Sequence, residues 1–136
     1  MSTHDYDYAM VRVVPCVYRE DFVTVGVVLH ARRAGFLAAR IRRDAEWLAA
    51  RCPGVDQDVL ARYLDAYERV AAGGEVAGPV GLLPPSERFH WLTAPRSAVL
   101  QTSPVHTGRS ADPALTLEHL REIDELRSRL AEEERT

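Results

Sequence analysis

At 136 residues and 15.2 kDa, with 46% hydrophobic and 27% charged residues, the chain has the makeup of one soluble globular domain with a single core. A formal net charge of −3 argues against a generic nucleic-acid coat, so nucleic acid is not an expected partner. All 17 basic residues are Arg, which excludes Schiff-base lysine chemistry and a P-loop lysine.

The start, MSTHDYDYAM, is polar and acidic and does not read as a leader; residues 1–7 are expected as a polar lead-in. No apolar run reaches ~18 residues, so no membrane span is expected. Cys16 and Cys52 lack CxxC spacing, which fits reduced thiols and a cytoplasmic setting.

Tyr8 to Val17 is a near-continuous β-rich run with one charge, Arg12. Such a run reads as a strand buried on both faces, with Pro15 near its end or at a bulge. Tyr18 to Asp21 is a connection of hairpin length. Phe22 to Ala31 is the second strand, and Gly26 inside it marks a bulge or a close backbone approach. Arg32 to Gly35 turns the chain into a third strand, Phe36 to Arg42. Three strands with short connections predict an antiparallel meander.

Asp44 caps a short helix over Ala45–Arg51, and Asp56 opens a longer one to Ala71. Val59, Leu60, Tyr63, Leu64, Tyr67 and Val70 form the longer helix's apolar face. Gly73-Gly74 ends it. Residues 75–87 read as a Pro/Gly loop. Phe89–Thr93 and Ser97–Thr102 read as a fourth and a fifth strand around the turn Ala94-Pro95-Arg96, and Ser103–Pro113 as irregular chain. A Leu-striped helix follows from Pro113 to Glu133, with 131–136 as a frayed tail. The expected fold is α+β: a mainly antiparallel five-stranded sheet with two or three helices packed on it, on one face, in a single domain spanning 1–136.

Candidate chemistry concentrates in Arg88–Gly108. Ser103 and His106 have the chemistry of a nucleophile and a base, and His90, Arg96, Gln101, Ser103 and His106 together would line a polar, cationic pocket for an anion. Read as a strand, His90 shares a side with Leu92, opposite Phe89, Trp91 and Thr93. GxSxG is absent, and no acid in the segment orients an imidazole. The plainer reading has Ser103 and His106 tying the loop to backbone groups. No HxH, HxxxH or HExxH pattern occurs, so neither metal nor cofactor is expected; a site would need His90 and His106 brought together through space. Arg40, Arg42 and Arg43 form either an RNA-binding edge or a solvated strand edge. The final helix either packs on the sheet or also pairs with a partner or a second copy.

The blocks YDYAMVRVVP, FVTVGVVLHA and ERFHWLTAPRSAVLQTSPVHTG resemble an uncharacterised bacterial family, domain of unknown function 3037, over nearly the whole chain. The matching positions are Tyr8, Arg12, Pro15, Gly26, His90, Trp91, Pro95, Arg96, Gln101, Ser103, Pro104 and His106, with Tyr18 a departure. The resemblance implies no activity. It implies a neighbour, a HipA-type kinase-like protein, and hence a small partner or regulatory subunit in a toxin–antitoxin-like or defence setting. The expected function is a binding and regulatory module. It would act with that kinase-like partner, or as a homodimer through its final helix or a sheet edge. The alternative is a small enzyme or anion-binding component using His106, Arg96 and His90.

Overall fold

The structure, a computed structural model, describes residues 2–15, 22–95 and 98–135, and of residues 131, 132 and 135 the backbone alone. Cys16, Tyr18, Arg96 and Ser97 lie outside the described residues. Strands β1 (His4–Val13), β2 (Val23–Ala31) and β3 (Phe36–Ile41) form the expected meander. Gly35, at φ 63°, closes the turn into β3 by donating its N–H to Arg32 O at 3.1 Å. Pro15 falls just beyond β1, where no ladder donor is lost.

Helix α1 (Ala45–Arg51) begins where Asp44 accepts the N–H of Trp47, and α2 (Gln57–Ala72) where Asp56 accepts those of Asp58 and Val59. Helix α3 (Pro85–Thr93) then stands where a fourth strand was expected. Pro85 at its first position needs no N–H partner, Glu87 suits the positive end, and Phe89 and Leu92 sit three apart on one buried face. Arg88 fastens α3 to α2: its Nη1 donates to the carbonyls of Val70 and Ala71, at 3.0 and 2.7 Å, and its Nε to Leu83 O. The loop expected over 75–87 stops short of Pro85, where α3 begins, and contains two short 3-10 turns, Glu75–Ala77 and Pro79–Leu82.

Strand β4 is only Leu100–Thr102, and β5 (His106–Ser110) forms in the stretch expected to be irregular. Both pair antiparallel with β1 along the same edge. Leu100–Thr102 face Val13–Val11, and His106–Ser110 face Tyr8–His4. The expected lead-in is therefore strand from His4 onward. Tyr6 and Tyr8 alternate here with Asp5 and Asp7, and the acids between the rings gave the stretch the polar look that concealed it. The sheet order is β3-β2-β1-β4, with β5 also on β1.

Among the described residues four α-helices cover the sheet, on both faces, where two or three on one face were expected. Ala9, Val11 and Val13 of β1 enter a core with Leu48, Leu60, Leu64, Val70, Phe89 and Leu92 of α1–α3. Tyr6, Tyr8 and Met10 pack instead with Val27, Leu29 and Ala31 of β2 and with Leu117 and Leu120 of α4 (Pro113–Arg135). A strand buried on both sides needs a layer on each, so the continuous apolar run of β1 and β2 entails the second helix layer.

The register shifts between Val11 and Arg12, where Val25 is the extra residue on β2. Beside it, a Cβ on Gly26 would run into the carbonyl oxygen of Arg40. Gly26→Ala is therefore expected to lower stability by about 3 kcal/mol, read as a drop in the urea midpoint. Among the described residues, no helix is long and apolar enough to cross a membrane.

Candidate functional site

The structure separates the residues of the Arg88–Gly108 cluster. His90 is exposed on α3, on the face of the sheet that α1–α3 cover, and Trp91 beside it is half-exposed. The expected sharing of sides within Phe89–Thr93 does not hold, because a helix turns Phe89 and Leu92 inward together. Gln101 stands opposite Arg12 in the ladder, and His106 opposite Tyr8, so both belong to the face under α4. His90 and His106 thus lie on opposite faces, and the through-space metal pair is not formed. Among the described residues, no three His, Cys, Asp or Glu side chains gather into a metal site.

Ser103 joins β4 to β5. Its N–H donates to Met10 O at 2.9 Å, its hydroxyl accepts the N–H of Met10 at 2.9 Å, and the same hydroxyl donates to Pro104 O. The side chain stands in for a strand carbonyl where Pro104 interrupts the ladder. Its proton is directed at a backbone oxygen, which fits the tying role. Gln101 donates its Nε2 to Ala98 O at 2.9 Å. The ring of His106 is exposed and lies 5.3 Å from that of Tyr8.

Three of the five candidates, Gln101, Ser103 and His106, therefore share one face. That face holds a groove of about 460 Å³ between the sheet and α4. Its floor is Tyr8, Met10, Arg12, Thr24, Ser103 and His106; its wall is Leu120, Ile123, Asp124 and Arg127. Alternation along β1 turns Arg12 into this groove with Tyr8 and Met10. The guanidinium carbon of Arg12 sits 3.9 Å from the centre of the Phe22 ring, and its Nε is buried with no hydrogen-bond partner among the described residues.

Asp124 is the second group that sequence reasoning did not place here. Burial pushes its carboxyl up to about 6; the neighbouring Glu125 adds to the rise, and Arg127 and Arg42 oppose it. The other acids on the inner side of α4 are paired. Arg40 Nε meets Glu118 at 2.6 Å, and Arg121 bridges Glu118 and Glu125 at 3.0 and 2.9 Å. The hydrogen bond from Arg40 holds the Glu118 carboxyl below its ordinary value. In the sequence Arg12 showed as the lone charge of an apolar run and as a position of the family resemblance with no role attached, and Asp124 as one of many acids in a charged helix.

The remaining arginines of the β3 edge are engaged. Arg42 stacks on Trp47 at 3.9 Å, and Arg43 reaches Glu68 at 3.4 Å and Asp65 at 3.9 Å. These contacts favour the structural reading of the Arg40–Arg43 run over RNA binding.

Because the native Asp124 carboxyl titrates near 6 and an unfolded one near 3.8, the folded state holds the proton more tightly between these values. Its burial cost is absent below about 3.8 and fully present above about 6. Asp124→Asn should therefore raise stability by about 1–2 kcal/mol at neutral pH, allowing for partial exposure. The gain should shrink as the pH falls toward 4, measured as urea midpoints across that range.

A family model described as a protein of unknown function, DUF3037, matches residues 8–123. No curated protein and no solved structure matches the chain.

Proposed function

Because the chain belongs to this family of unknown function, membership assigns it no activity, and we propose from the geometry that it is a binding module acting through the outer face of α4. One observation carries this reading. Leu117 and Leu120 turn inward to the sheet, while Leu115, Ile123, Leu126 and Leu130 remain about half-exposed on the other side of the same helix. A 23-residue helix is about 34 Å long, so this stripe runs most of its length. Solvated helices do not ordinarily carry a second apolar seam.

The occupant that fits is α4 of a second copy, running antiparallel. Ile123 and Leu126 then meet Leu126 and Ile123 of the partner, in coiled-coil fashion. Glu122 and Arg129 flank one side of the stripe, both exposed. Antiparallel pairing sets each Glu122 against the partner's Arg129, twice by symmetry. The seam is narrow, with only half-exposed side chains to bury, so the dimer is a weak one that forms with rising concentration. Light scattering over a concentration series should show the mass moving toward a dimer, and Leu126→Glu should hold it at the monomer. Glu122→Arg and Arg129→Glu should each weaken the dimer, and the double exchange should restore it. A chain that stays monomeric up to about 1 mM would end this reading.

A second reading is favoured by the opposite side of the molecule. Tyr63 and Trp91 are partly exposed there beside a shallow apolar pocket, and Val76 and Leu82 are largely exposed nearby. This surface suits a different partner, and the HipA-type kinase-like protein implied by the family resemblance is the one to test. Co-purification should succeed with the parent chain and fail with Tyr63→Asp.

A further inference from the structure

The groove beneath α4 holds a charge with no carboxylate partner among the described residues: Arg12 meets none within ion-pair distance, although Asp124 lines the same groove. Its guanidinium carbon sits over the Phe22 ring, 3.9 Å from the ring centre, a contact that helps to hold the group at the groove. A partly buried guanidinium with an idle Nε is costly unless an acceptor completes it. Around it, the hydroxyls of Tyr8 and Thr24 make no hydrogen bond within the described residues, and His106 and Arg127 line the same space. Met10, Leu120 and Ile123 supply an apolar wall. The volume of about 460 Å³ suits a small molecule.

We propose that this groove binds a small organic oxyanion, with its phosphate or carboxylate group on the Arg12 guanidinium and its apolar body against Met10, Leu120 and Ile123. A guanidinium fork is matched to either group, because both present two oxygens at the spacing of its N–H pair. The site differs from the cluster expected from the sequence. It keeps His106 but rests on Arg12, whereas His90 is on the far face.

Asp124 sets the pH behaviour of the site. As a carboxylate it repels the ligand; as an acid it does not, and it has a proton to donate. The charged and titratable groups that line the spaces beside it are Tyr8 and Arg12 of β1, Arg42 beyond β3, His106 of β5, and Arg121, Glu125 and Arg127 of α4. Glu125 favours its protonation, and Arg42 and Arg127 oppose it. Binding therefore tightens as the pH falls through about 6.

The test is an NMR titration of the labelled full chain, following the His106 ring and the Ile123 methyl groups. The probes are phenyl phosphate, benzoate and inorganic phosphate, at about pH 5.5 and about pH 7.5. Saturable shifts are expected with phenyl phosphate, benzoate or both, about fivefold tighter at the lower pH. A response to one of the two identifies the group that the fork prefers. Arg12→Gln should weaken binding about tenfold or more. Asp124→Asn should tighten binding severalfold at the higher pH, a gain that general damage to the fold does not produce. This second variant keeps the proposal testable if Arg12→Gln fails to fold. The proposal is overturned if no probe gives a saturable shift up to about 10 mM. It is also overturned if a folded Arg12→Gln binds as the parent does, or if Asp124→Asn weakens binding. Inorganic phosphate binding as tightly as phenyl phosphate would overturn the apolar half of the site.

Discussion

The register of β1 decides where every other part of the molecule goes. Its residues pair with β2 along one edge and with both β4 and β5 along the other, so the strand cannot slip without breaking two ladders at once. A slip of one residue would send Ala9, Val11 and Val13 to the face of α4 and Arg12 into the core under α2. Met10 and Ser103 pin the register where the second ladder is interrupted: two hydrogen bonds join them, one through the Ser103 hydroxyl. The bulge at Val25 then brings Thr24 opposite Arg12, on the groove side.

With that register in place, α4 has two different jobs on its two sides. Its inner side packs Leu117 and Leu120 on β2 and is fastened to β3 by the chain of charges from Arg40 through Glu118 and Arg121 to Glu125. These pairs are partly exposed, so their contribution is one of position more than of stability. They leave Asp124 out of the network, next to a groove whose arginine, Arg12, has no ion-pair partner among the described residues. Its outer side carries an apolar seam that stays about half-exposed among the described residues. The two surfaces share only Ile123 at their border, so a ligand in the groove and a partner on the seam are separable by mutation.

Local signals in the sequence were dependable where the physics is local. The caps Asp44 and Asp56, the end of α2 at Gly73 and the turn at Gly35 act within a few residues of themselves, and each acts where it was expected. The two-sided burial of the first two strands was legible in their unbroken apolar runs. Pro84-Pro85 misled, because proline breaks a helix interior but starts a helix when it stands at the first position. FHW, rich in β-forming residues, then read as strand although Arg88 commits it to a helix docked on α2. The polar half of β1 and β5 remained hidden because each is stabilised by the other, across about a hundred residues of chain.

The candidate site shows the same division. Ser103 and His106 stood out by residue type, and they do lie together. Arg12 and Asp124 became visible only through the packing of α4 on the sheet, which no spacing in the sequence encodes. The claim beneath all of this is that adjacent residues of β2 look to opposite helix layers, and methyl NOEs test it directly. Leu29 should show NOEs to Leu117 of α4, and its neighbour Val28 to leucines of α2 and α3 such as Leu64 and Leu92. NOEs from both residues to one layer, or the reverse assignment, would contradict the two-faced sheet, and with it the groove that holds Arg12.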